Sequence, residues 1–137
     1  MEEFRIIRKL IIFVGGFLLS HPGGWDFSPN EFILQANMTA RVFMNNDLLT
    51  EADDGLCSFA DGEIRGIQEA FLNELPISYY YEDYIFPIQL YANIDGEEFS
   101  FLFYDFSAGE EKEIVTNYTF SSNDVPGDLT DPIPLYL

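Results

Sequence analysis

Carboxylates are the reactive groups this sequence holds in quantity. Its 137 residues carry 24 Asp and Glu against 6 Lys and Arg, with one His and one Cys, for a formal net charge of −18. A hard cation is the first thing such groups could hold. Calcium takes roughly six to eight oxygens from carboxylates and loop carbonyls. Asp47, Glu51, Asp53 and Asp54 are close enough in sequence to supply several from one loop, so calcium is the cofactor these residues would take. No segment has the spacing D-x-[DN]-x-[DN]-G, and a solvated acidic surface that keeps the chain soluble is the plainer reading. A second acidic stretch, Asp124, Asp128 and Asp131, lies in the Pro- and Gly-containing approach to the chain end.

Acid–base catalysis is a weaker reading. Paired carboxylates serve glycoside hydrolysis at separations of about 5 Å or about 6.5–9.5 Å, but a domain this small seldom adds a deep substrate cleft. The one His, His21, falls in the N-terminal segment; without it, Ser-His and Cys-His arrangements and most transition-metal sites have no imidazole. A single Cys excludes an intrachain disulfide and a Cys-cluster zinc site. The expectation is a noncatalytic protein. The scarcity of Lys and Arg removes the electrostatic footprint that nucleic acid requires.

Aromatic residues are the other resource, with 14 Phe and 8 Tyr. Tyr79, Tyr80 and Tyr81, with Tyr84 close behind, follow Pro76-Ile77-Ser78. On a strand, consecutive Tyr residues point to alternate faces, so at least one ring is exposed to stack on a sugar or a partner side chain. The alternative is that the rings cap a sheet edge with their hydroxyls in water. Cys57 shares strand parity with Phe59 and reads as an inert core thiol. Arg65, surrounded by acids, reads as a structural ion pair or carboxylate clamp.

These side chains must be positioned by strands. From Gln35 to Met44, Ala36, Met38, Ala40, Val42 and Met44 alternate with Gln35, Asn37, Thr39, Arg41 and Phe43, the pattern of a half-buried strand. Phe86, Ile88, Leu90 and Ala92 alternate likewise, with Pro87 marking an edge, and so do Phe99, Phe101 and Phe103. Asp61-Gly62 and Asp95-Gly96 each separate two such runs and predict two-residue hairpins. Further strands are expected at 113–120 and 133–137, a short one at 25–32, and an outward-bending one over 63–75. Poor helix signals and no βαβ spacing predict an all-β fold, an antiparallel β-sandwich of about six to eight short strands, Ig-like or jelly-roll-like.

Residues 1–24 form a separate unit. Arg5, Arg8 and Lys9 precede an apolar run, Leu10 to Leu19, and the breaker Ser20-His21-Pro22-Gly23-Gly24. This predicts a signal peptide or an N-terminal anchor or assembly segment, with the sandwich over residues 25–137. The apolar run is short for a membrane span, so a stable span is expected only if residues 10–19 are retained as an anchor. At the other end, Pro132 and Pro134 remove two donors, so the last strand pairs fully on one side only. Ile133, Leu135, Tyr136 and Leu137 then either close their own sheet or dock on another copy.

Several short motifs together resemble a family. Trp25, Pro29, Phe32, Met38-Thr39, Asp54, Phe59, Gly62-Glu63-x-Arg65-Gly66, Asp95-Gly96-Glu97, Phe101, Tyr104-Asp105, Gly109, Phe120, Gly127 and Pro132 to Leu135 are similar to a β-sandwich module of secreted bacterial surface proteins. That module is of Bacteroidetes type and often accompanies type IX secretion sorting domains. Cys57-Ser58 departs from the small apolar residues expected before Phe59. The resemblance spans residues 25–137 and implies a secreted or cell-surface, noncatalytic module for adhesion, matrix or self-assembly. Its implied partners are other surface proteins, glycans or copies of itself. A carbohydrate-binding module, supported by calcium, is the second reading.

Overall fold

The computed structural model describes residues 25–137, so the expected leader over residues 1–24 lies outside the described residues. Nine strands follow in order: β1 (Leu34–Met44), β2 (Asp47–Leu48), β3 (Gly55–Ala60), β4 (Glu63–Glu69), β5 (Phe71–Leu72), β6 (Tyr84–Ala92), β7 (Glu98–Asp105), β8 (Glu110–Thr119) and β9 (Ile133–Tyr136). They form two sheets packed face to face, the β-sandwich that the alternation predicts. One sheet runs β2-β1-β6-β5 with β9 also beside β1, and the other runs β4-β3-β7-β8.

The inward residues are those of the predicted apolar rows. Ala36, Met38, Ala40 and Val42 from β1 meet Phe86, Ile88, Leu90 and Ala92 from β6, and all are buried with Phe99, Phe101 and Phe103 of β7. Phe86 and Phe103 touch edge to face across the sheets at 6.2 Å. The outer face of the second sheet has its own cover. Trp25 packs on Cys57, Tyr104 and Phe106, and its indole N–H donates to Glu111 at 2.9 Å. Cys57 is therefore buried as expected, though under Trp25 and not in the main core. Burial pushes its thiol up to about 12, with Glu111 adding to the shift. A bulky thiol reagent should label native protein far more slowly than unfolded protein; equal rates would place Cys57 at the surface.

Three local expectations change. Asp61-Gly62 does form the β3–β4 hairpin, with φ of 53° and 72° at its central residues. Asp95-Gly96 does not form a hairpin: β6 belongs to one sheet and β7 to the other, so this turn carries the chain between layers. Gly96 N–H instead donates to Phe120 O, and Asp95 accepts from Ser122 N–H. An Asp-Gly pair specifies a reversal but not whether the two runs meet edge to edge or face to face. Residues 63–75 split at Ala70, where the chain leaves β4 and joins the opposite sheet as β5. Residues 25–32 form no strand; Pro29–Glu31 make a single 3-10 turn, because Pro29 has no N–H for a ladder.

The chain end closes its own sheet. β9 pairs parallel to β1, Leu135 is buried, and Leu137 N–H donates to Phe43 O. The missing donors of Pro132 and Pro134 share a side with Tyr136 N–H, which turns away from β1 to Thr116 Oγ1 at 2.9 Å. Ile133, Leu135 and Tyr136 thus belong to a strand paired within the chain, extended by the Leu137 bond, with Tyr136 left exposed.

Candidate functional site

The acidic residues do not converge. Asp47 is exposed on β2, Glu51 and Asp53 are exposed in the loop before β3, and Asp54 turns inward. Among the described residues no three His, Cys, Asp or Glu side chains gather as metal ligands. Asp54 is occupied by backbone: Oδ1 accepts from Phe106 N–H at 2.9 Å and Oδ2 from Glu51 N–H at 2.8 Å. Asp128 similarly closes its own turn, accepting from Thr130 N–H, Thr130 Oγ1 and Asp131 N–H, which hold its carboxyl below the usual range. Asp124 accepts from the Tyr118 hydroxyl at 2.7 Å; burial first, then this bond, pushes the phenol up to about 12.

Asp54 yields a pH prediction. Burial pushes its carboxyl from 3.8 up to about 7, the two backbone N–H groups pull it down, and the Asp105 and Glu51 charges push it further up. The folded state then holds a proton that the unfolded state has released. The resulting stability is full below pH 3.8 and is lost as pH rises through about 7. Denaturation of the wild type and Asp54→Asn should therefore diverge. The wild type weakens relative to the variant from pH 4 to 7 and runs parallel above; parallel curves throughout would place the Asp54 pKa in the ordinary range.

The Tyr run sits on a loop, which corrects the strand expectation. Residues 76–82 form a sequence of turns, closed by paired hydrogen bonds across the base of the loop, Asn73 N–H to Asp83 O and Glu82 N–H to Asn73 O. Two buried polar side chains pin this loop to the chain's far end. Asn73 Nδ2 and Ser78 Oγ both donate to Leu129 O, at 2.9 and 2.6 Å, and Ser78 Oγ accepts from Tyr80 N–H. Tyr79 is left 91% exposed, edge-on to Tyr80 at 5.2 Å, and Tyr81 is partly exposed. Tyr84 does not join them: it is half-buried at the start of β6, opposite Leu72.

Tyr80 instead covers Arg41, a residue that sequence reading placed on the polar face of β1 without a role. The Arg41 guanidinium lies 4.2 Å from the Tyr80 ring centre and 4.8 Å from that of Phe43, and 3.4 Å from Asp83. Phe43 continues to Tyr136 at 5.8 Å. The Tyr loop is thus seated at one end of the outer face of the first sheet.

The rest of that face was not recognised from sequence as a surface of interest. Register pairs Gln35 with Tyr91, Asn37 with Gln89 and Thr39 with Pro87, so these six outward side chains stand in two adjacent rows. Tyr91 donates to Gln89 at 2.6 Å, and Gln35 to Asn37 at 3.2 Å. Phe27 lies against Tyr91 at 5.2 Å and bounds the far end. Beside the rows a shallow groove of about 410 Å³ is lined by Phe27, Pro29, Ile67, Gln68, Pro87, Gln89 and Tyr91. The alternating polar residues of β1 and β6 were visible in the sequence, but their pairing was not.

Arg65 walls this region from below. It is buried, forks onto Glu97 with bonds of 2.8 and 2.9 Å, and donates to Tyr91 O at 3.3 Å. Its Nε lies 3.2 Å from Glu63 as an ion pair outside hydrogen-bond geometry, and its guanidinium faces the Phe32 ring at 5.0 Å. The clamp expected for Arg65 is what the geometry shows. No protein-family model matches the chain, and neither does any curated protein sequence or solved structure.

Proposed function

We propose that this chain is an exported, noncatalytic β-sandwich module that works by surface contact, in adhesion or a matrix at the cell surface. The observation that carries this reading is Tyr79, 91% exposed on a loop that two buried polar side chains hold in place. A large ring kept in water on a rigid support loses little freedom when a partner covers it. The chemistry of the described residues agrees. The only thiol is buried, the Asp54 carboxylate is engaged by backbone, and the arginines are paired with carboxylates. The apolar run before Trp25 supports export.

Tyr79→Ala tests the reading on an array of surface glycans and surface proteins. The variant should keep wild-type stability within about 0.5 kcal/mol, as for an exposed side chain, and lose about tenfold in binding to whatever the wild type retains. Undiminished binding would remove Tyr79 from the contact surface.

A further inference from the structure

We infer that the outer face of the first sheet, the rows Gln35-Asn37-Thr39 and Pro87-Gln89-Tyr91 with Phe27 and the Gln68 groove, is a binding site for a neutral glycan chain. The inference rests on the contact reading above and names its ligand class.

Charge is the first argument. The chain carries 24 acidic residues, yet none of the six outward residues in the two paired rows is charged, nor is any residue lining the adjoining groove. A site for a cationic partner would use the carboxylates abundant elsewhere, and an anionic ligand would meet a protein of net charge −18 whose one cation on this face, Arg41 at the end of the β1 row, is already covered by Tyr80 and paired with Asp83. A neutral ligand is the one this surface suits.

The side-chain chemistry narrows the class. Gln35 donates to Asn37 Oδ1, Tyr91 to Gln89 Oε1 and Gln68 to Glu69 O, and the remaining donors and oxygen lone pairs of these four amides complement adjacent sugar hydroxyls that both donate and accept. Phe27 and Tyr91, in contact at one end, and Tyr80 over Arg41 at the other supply apolar ring faces for the C–H faces of a pyranose. From Gln35 to Arg41 the strand advances about 20 Å at roughly 3.3 Å per residue, so the surface accommodates several linked sugars and not one. The support is rigid: the inward partners of these residues, Ala36, Met38, Ile88 and Leu90, are all buried in the core. Asn37 and Gln89 are themselves exposed, so their amides are accessible and their truncation removes no core contact.

The test uses the full chain on an array of neutral glucans, mannans and xylans beside acidic uronate polymers, with Gln89→Ala, Asn37→Ala, Tyr91→Ala and Tyr79→Ala variants checked for wild-type circular dichroism. Wild-type binding to a neutral polymer, weakened about tenfold or more by Gln89→Ala and by Asn37→Ala, supports the site. Preference for acidic polymers overturns it. Neutral-polymer binding that survives the strand substitutions but fails in Tyr79→Ala overturns the site while leaving the contact reading intact. Binding to surface proteins alone, lost in Tyr79→Ala, does the same. Failure to bind any glycan or surface protein sinks both.

Discussion

Replacing Glu97, itself half-buried, by Ala should destabilise the fold by about 3 kcal/mol, the low end for leaving a buried charge without its partner. Arg65 is 5% exposed and its fork is filled by Glu97 at 2.8 and 2.9 Å. Without that carboxylate a buried guanidinium keeps the Tyr91 carbonyl, the off-axis approach of Glu63 and the faces of the Phe32 and Phe99 rings, none of which replaces a bidentate carboxylate. The pair also answers to pH. Hydrogen bonds from Arg65 hold the Glu97 carboxyl below its ordinary 4.5, and they hold the Arg65 guanidinium above its ordinary value. For a carboxyl lowered on folding, the stability is present above pH 4.5 and is lost as pH falls through the depressed folded value. Urea denaturation at pH 7 measures the first effect. Repeating it in progressively acid buffer, wild type against Glu97→Ala, measures the second, with the gap closing toward low pH. A variant as stable as wild type at pH 7 would mean that the fork is not needed.

Gly66→Ala should cost about 3 kcal/mol as well, for a different reason: overpacking between two sheets. A Cβ built on Gly66 falls 2.3 Å from the Gln89 carbonyl oxygen and 3.0 Å from Ser58 Oγ. The first is a backbone atom of β6, so relief requires β4 and β6 to separate. Gly62 provides the contrast. Its Cβ would meet nothing within 4 Å, and its φ of 72° alone penalises a side chain, by about 1 kcal/mol. Chemical denaturation of both Ala variants should rank Gly66 well above Gly62. The reverse order would mean that β4 and β6 do not approach as closely as the geometry requires. Because Gln89 carries one of the outward amides, Gly66→Ala should also disturb the outer face more than Gly62→Ala does.

By itself the sequence determined the long strands β1, β6 and β7 and their inward faces. Period-two alternation is a property of the single chain: burying Ala36, Met38, Ala40 and Val42 exposes Gln35, Asn37 and Thr39 whatever the partner strand is. The Asp61-Gly62 hairpin was legible for the same reason, since positive φ at successive residues is a local demand. The carboxylate fork on Arg65 followed from the shortage of bases among so many acids, whereas Cys57, expected in the core, owes its burial to Trp25 folding over the outer face of the second sheet. Only the tertiary structure decided which strands are neighbours. It made Asp95-Gly96 a bridge between layers, divided residues 63–75 between two sheets, folded the Tyr run into a loop over Arg41, and set Asn37 beside Gln89 across 52 residues of sequence. Those choices depend on how two amphipathic sheets pack most apolar surface together, a global optimum that leaves no mark on any one segment. The acidic loop shows the same division: composition placed Asp47, Glu51, Asp53 and Asp54 close in sequence, and the need of buried amides for an acceptor turned Asp54 away from the others.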